Sequence, residues 1–60
     1  MSFKAARVKA GLTQMAAAKM LGVTDVAVLN WEKGKTMPRA SLLPKIAQLY
    51  HCTVDELLKG

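Results

Sequence analysis

Sixty residues make one domain, near the lower size at which a chain folds unaided, and a lone cysteine, Cys52, excludes an internal disulfide framework. Nine basic against four acidic residues give a net charge of +5, which favours polyanionic partners, nucleic acid before an anionic membrane. His51 and Cys52 are too few ligands for a zinc site, no apolar run nears membrane-spanning length, and no signal-peptide pattern opens the chain, so a soluble, cytoplasmic protein without metal or cofactor is expected.

Apolar residues are abundant (52%) but aromatic ones few (5%), so the core must come from Leu, Val, Ile, Met and Ala, which favour helix. Glycine and proline then cut the chain into short segments. The first, about 2–10, carries Phe3, Ala6 and Arg7 at helical spacing and ends before Gly11, a natural left-handed residue. A second, about 14–20, opens after Thr13 as N-cap, runs through Ala16, Ala17 and Ala18, and stops at Gly22. The third, about 25–32, has Thr24 as N-cap and Asp25 in its first turn, where the helix dipole favours a carboxylate. Val28 and Trp31, three apart, face the same way. Residues 35–40 read as a basic loop.

A fourth helix, about 42–50, is expected after Ser41, with Pro44 tolerated in its first turn because its missing N–H has no intrahelical acceptor to lose. Leu43, Ile46, Ala47 and Tyr50 form an i, i+3, i+4, i+7 stripe that predicts a buried face. The last helix, about 54–58, opens on a capping box, Thr53 with Glu56, and offers Leu57 and Leu58 as core anchors. No period-2 alternation competes. Residues 1–60 therefore predict one all-α domain, a compact five-helix bundle.

Thr13 to Glu32 is the informative stretch. Two helices of about eight residues meet at Leu21-Gly22-Val23-Thr24, a tight turn with glycine early and an N-cap at its end, which is the layout of a helix-turn-helix unit. Leu21 and Val23 can plug the angle between the helices, and the small Ala17 and Ala18 allow close approach.

Arg7 through Gln14 (R-V-K-A-G-L-T-Q), Ala18, Leu21-Gly22-Val23-Thr24, Trp31-Glu32-Lys33-Gly34-Lys35, Pro38 and Val54-Asp55-Glu56-Leu57-Leu58 together resemble the Cro and phage-repressor (XRE-like) helix-turn-helix family. The likeness is greatest to the N-terminal DNA-binding domains of lambdoid phage repressors and covers nearly the whole chain in order. It implies a lambda-repressor-like fold, no enzymatic activity and no small-molecule ligand. The implied partner is double-stranded operator DNA, bound as a homodimer on a palindrome with the second helix of the unit in the major groove.

Carried over residue by residue, Thr24, Asp25, Val26 and Asn30 would meet the bases. Asn30 suits a bidentate contact to adenine, and Val26 suits thymine methyls. Gln14, Lys33, Lys35, Thr36 and Arg39 would hold phosphates, and three of the nine cations fall within residues 33–39. Arg7 and Glu32 match a family pair that forms an internal salt bridge; the alternative is Arg7 on a phosphate. The dimer interface implied lies near His51, Cys52, Val54 and Leu58.

The chain departs from the family pattern in lacking arginine and glutamine on the recognition helix. Asp25 could accept from cytosine or simply complement the helix dipole. Leu29, Val8, Met15 and Met20 look exposed, as thymine contacts, a partner surface or tolerated surface. Ala17 stands where a larger apolar residue is expected, leaving a space for Met15, Met20 or Trp31. Trp31 reads as core rather than a base-stacking platform. Two regulator readings stay open, a complete Cro-sized protein or part of a longer repressor, beside an interaction module such as an antitoxin.

Overall fold

Four of the helices begin at a residue whose side-chain oxygen accepts an otherwise unpaired N–H, each such cap contributing about 1 kcal/mol. The computed structural model, which describes residues 2–59, shows α1 (Phe3–Lys9), α2 (Gln14–Leu21), α3 (Asp25–Lys33), a 3₁₀ turn (Ala40–Leu42), α4 (Leu43–Leu49) and α5 (Val54–Leu58), with no strand among those residues. Ser2 caps α1 by accepting from the Ala5 N–H at 3.0 Å. Thr13, Thr24 and Thr53 lie in extended backbone and accept from Ala16 (3.0 Å), Ala27 (3.1 Å) and Glu56 (3.1 Å), which opens α2, α3 and α5. Glu56 reaches back to the Thr53 N–H at 2.9 Å and completes the capping box.

α1 to α4 all close in the same way. A residue with positive φ follows the helix, and the next N–H returns to a carbonyl five residues back: Leu12 to Arg7 (3.2 Å), Val23 to Ala18 (3.0 Å), Lys35 to Asn30 (2.9 Å) and Cys52 to Ala47 (2.9 Å). In the α2–α3 turn this left-handed residue is Gly22, at φ 71°, a conformation in which any side chain is strained against its own peptide although the space around it is open. After α4 it is His51, at φ 58°, a non-glycine residue in a strained region. α4 starts one residue later than expected and is led in by the 3₁₀ turn, because Leu42 supplies no side-chain cap. Pro44 sits in its first turn without losing a hydrogen bond.

Ile46, Leu57 and Val28 are the largest fully enclosed side chains, drawn from α4, α5 and α3. Phe3 and Trp31 pack at 6.5 Å between ring centroids, tilted by 46°, joining α1 to α3. Trp31 is thus core, as its spacing from Val28 implied.

Three expectations are corrected. Leu58 is half exposed, and α5 is anchored instead by buried Leu57 with Val54 packed beside it, since residues three apart share the inward face and the next residue turns off it. Leu29 is half-buried rather than exposed. Met15 and Met20 face solvent at 72% and 56% exposure, so neither fills space beside Ala17. Ala17 is itself fully enclosed, because a methyl side chain lets the neighbouring chain close directly over α2.

Candidate nucleic-acid interface

α3 buries Val28 and Trp31 and turns its other side outward. Val26, Asn30 and Lys33 are spaced i, i+4, i+7 and therefore form one stripe along that outer side. Val26 is 57% exposed, Asn30 half-buried and Lys33 exposed. Thr24 and Asp25 are exposed at the leading end. The Thr24 oxygen is occupied by the Ala27 N–H, which leaves its hydroxyl proton to donate elsewhere. Beside this end, Met15, Ala16, Ala18, Lys19, Val23 and Asp25 line an open, mostly apolar groove between α2 and α3.

Beyond α3 the loop carries Lys35, Thr36 and Arg39, all exposed. Neither these two cations nor Lys33 forms an ion pair with a carboxylate among the described residues. Positive charge is left unopposed along the trailing edge of α3 for that reason.

Arg7 and Glu32, 25 residues apart, are brought together beneath the surface. Arg7 Nε donates to Glu32 Oε2 at 2.6 Å and Nη2 to Oε1 at 3.2 Å, while Nη1 donates to the Leu12 carbonyl at 2.7 Å. Their side chains are 10% and 5% exposed, so the guanidinium is engaged inside the protein. The hydrogen bond to Glu32 pushes the Arg7 pKa up, against the opposing effect of burial. Tyr50 lies within electrostatic reach: burial first, then the Glu32 charge, push its hydroxyl up to about 12.

Gln14, the first residue of α2, is half-buried, and its Nε2 donates to Glu32 Oε1 at 3.1 Å. Reasoning from sequence missed this link. Nothing in local spacing pairs residue 14 with residue 32, and only the packing of α2 against α3 joins them. His51 is exposed, Cys52 and Val54 half-buried, and Leu58 half exposed at the α5 end; burial pushes the Cys52 thiol up. No group of three or more potential metal ligands occurs among the described residues, and no helix there is long and apolar enough to cross a membrane.

The helix-turn-helix family profile matches residues 3–57. Repressor protein C2 of Salmonella phage P22 is 39% identical over 57 residues, 95% of this chain and 26% of the phage protein. The HTH-type transcriptional activator BcrR of Enterococcus faecalis is 41% identical over 49 residues, 82% of this chain and 24% of that protein. An uncharacterized HTH-type transcriptional regulator of Archaeoglobus fulgidus is 37% identical over 51 residues, 85% of this chain and 73% of that protein. The chain thus spans about a quarter of the length of the first two relatives. No solved structure gives a significant match. The threonine-capped helices about Gly22 and a family match running from α1 into α5 agree: this chain belongs to the helix-turn-helix family.

Proposed function

We propose that the chain binds operator DNA in the cytoplasm and thereby regulates transcription, with α3 in the major groove and two copies on a palindromic site. Binding, not catalysis, is the activity. The observation that carries this reading is the outer stripe Val26–Asn30–Lys33, continued by the unpaired cations Lys35 and Arg39. A short apolar group, an amide and a row of cations in that order suit methyl contact, base-edge hydrogen bonding and phosphate clamping. Relatives named as a repressor and as an activator agree with regulation and leave its sign open. With extents of 23 × 23 × 19 Å, one domain is shorter than a turn of DNA, about 34 Å, so one copy meets a half-site.

Selection of a site from random duplexes, followed by salt titration, tests the proposal. A palindrome with half-sites about one turn apart is expected. Three phosphate-facing cations on each of two copies give a log–log salt slope of about −5. A flat salt dependence with no consensus would refute it. The exposed Met15 and Met20 would then direct the search to a protein partner, in the manner of an antitoxin.

A further inference from the structure

Gln14 stands at the start of α2, where the Thr13 oxygen takes the Ala16 N–H while the N–H groups of Gln14 and Met15 find no acceptor among the described residues. An anion at this point would meet two backbone donors and whatever the Gln14 amide presents. A primary amide is ambiguous in that respect. Turned one way it offers N–H groups, and turned the other way it offers an oxygen that repels a phosphate.

Glu32 resolves the ambiguity. Its Oε1 accepts from Gln14 Nε2 at 3.1 Å, and the opposite amide orientation would set two acceptors face to face. The carboxylate cannot turn aside, because Arg7 holds both of its oxygens, at 2.6 and 3.2 Å, and is itself tied to the Leu12 carbonyl. One Nε2 hydrogen is used on Glu32. The second stays free on the same planar nitrogen and is directed away from the carboxylate.

We infer that Glu32 is a positioning residue for the DNA site: locked by Arg7, it fixes the Gln14 amide with an N–H donor outward, beside the open N–H groups of α2, to receive a backbone phosphate. The buried ion pair therefore reaches the DNA through Gln14 without touching it. This role rests on the DNA-binding reading and adds to it a residue from inside the protein.

The test combines NMR of the side-chain amides with fluorescence-anisotropy titration of the duplex selected by the wild-type chain. Gln14, Asn30 and Gln48 carry the three side-chain amides of the sequence, which makes assignment direct. In the wild type the Gln14 amide protons should exchange with solvent more slowly than those of exposed Gln48. Equal rates overturn the inference, whatever any variant does. Gln14→Ala should weaken duplex binding about tenfold per half-site, the size of one hydrogen bond to a charged group, and so about a hundredfold for two copies on the palindrome. Arg7→Met/Glu32→Leu removes the positioning carboxylate and leaves no orphaned buried charge. It should lose affinity to within about twofold of Gln14→Ala, and the triple variant should lose no more, because all three changes remove one contact. Wild-type affinity in the Arg7→Met/Glu32→Leu protein, wild-type affinity in Gln14→Ala, or losses that multiply would each overturn the positioning role while leaving DNA binding intact. Absence of salt-dependent duplex binding by the wild type would overturn the DNA reading and this one with it.

Discussion

Arg7→Ala is expected to come close to unfolding the domain, although the residue lies outside the helix-turn-helix unit of α2 and α3. The side chain removed makes three hydrogen bonds, two to Glu32 and one to the Leu12 carbonyl. Left behind is a carboxylate only 5% exposed, with the Gln14 amide as its remaining donor. Stranding one member of a buried ion pair costs about 3–5 kcal/mol. A 60-residue domain is stable by about 3–9 kcal/mol in total, so the loss is of the order of the whole. Arg7→Met/Glu32→Leu supplies the control: with both charges gone and the volume largely kept, it should stay within about 1 kcal/mol of the parent. Urea denaturation followed by far-UV circular dichroism measures both. A loss below about 1 kcal/mol for Arg7→Ala, the value of an exposed pair, would refute the argument that burial makes this pair matter.

His51→Gly should raise the melting temperature by about 2–8 °C, since relief of the crowded left-handed backbone exceeds the entropy cost of glycine; a lower melting temperature would count against strain at this position. For Tyr50 the fold favours the neutral hydroxyl, so its contribution is complete below the free phenol value of 10.0 and is lost as pH rises through about 12. The unfolding free energy should therefore fall over that window by as much as about 2 kcal/mol and fall less in Tyr50→Phe, which has no proton to lose. Thr53→Ala should cost about 1 kcal/mol through the α5 cap. Loss of the Glu56 carboxylate on acidification should weaken the same box, because hydrogen bonds with Thr53 hold its pKa below the ordinary carboxylate value; the effect is present above that value and disappears as pH falls through the lowered one. At the DNA, Asn30→Ala should relax preference at one base position, whereas Lys35→Ala should weaken all duplexes alike and make the salt slope shallower by about 1 per copy; competition titrations with single-base variants distinguish the two.

The helices were legible because their starts and stops are local chemistry. A threonine oxygen reaches an N–H three residues on, and a glycine ends a helix by its own φ, so Thr13, Thr24 and Thr53 with Gly22 and Gly34 mark their positions from neighbours alone. Where such signals are weak, reading faltered. No cap announces α4, so its lead-in 3₁₀ turn went unseen. His51 carries no mark of the left-handed backbone that glycine advertises elsewhere.

Side-chain direction divides similarly. The buried sides of α3 and α4 follow from periodicity, through Val28 with Trp31 and Ile46 with Ala47 and Tyr50. Leu29 and Leu58 do not follow, because an apolar residue at the margin of a helix face is covered or bared by whichever element packs beside it. The candidate interface shows the same split. Its outer stripe is a matter of spacing within one helix, readable from residues 24 to 33. The support beneath it joins residue 7 to residue 32 and residue 32 to residue 14, across separations no local rule spans. The sequence by itself determined the capped segments, the basic loop after α3 and the outer stripe of that helix. The Arg7–Glu32 pair was implied by the family likeness, but only the tertiary structure brought Gln14 to it, since a buried carboxylate takes its further donors from whatever the packed chain brings within about 3 Å.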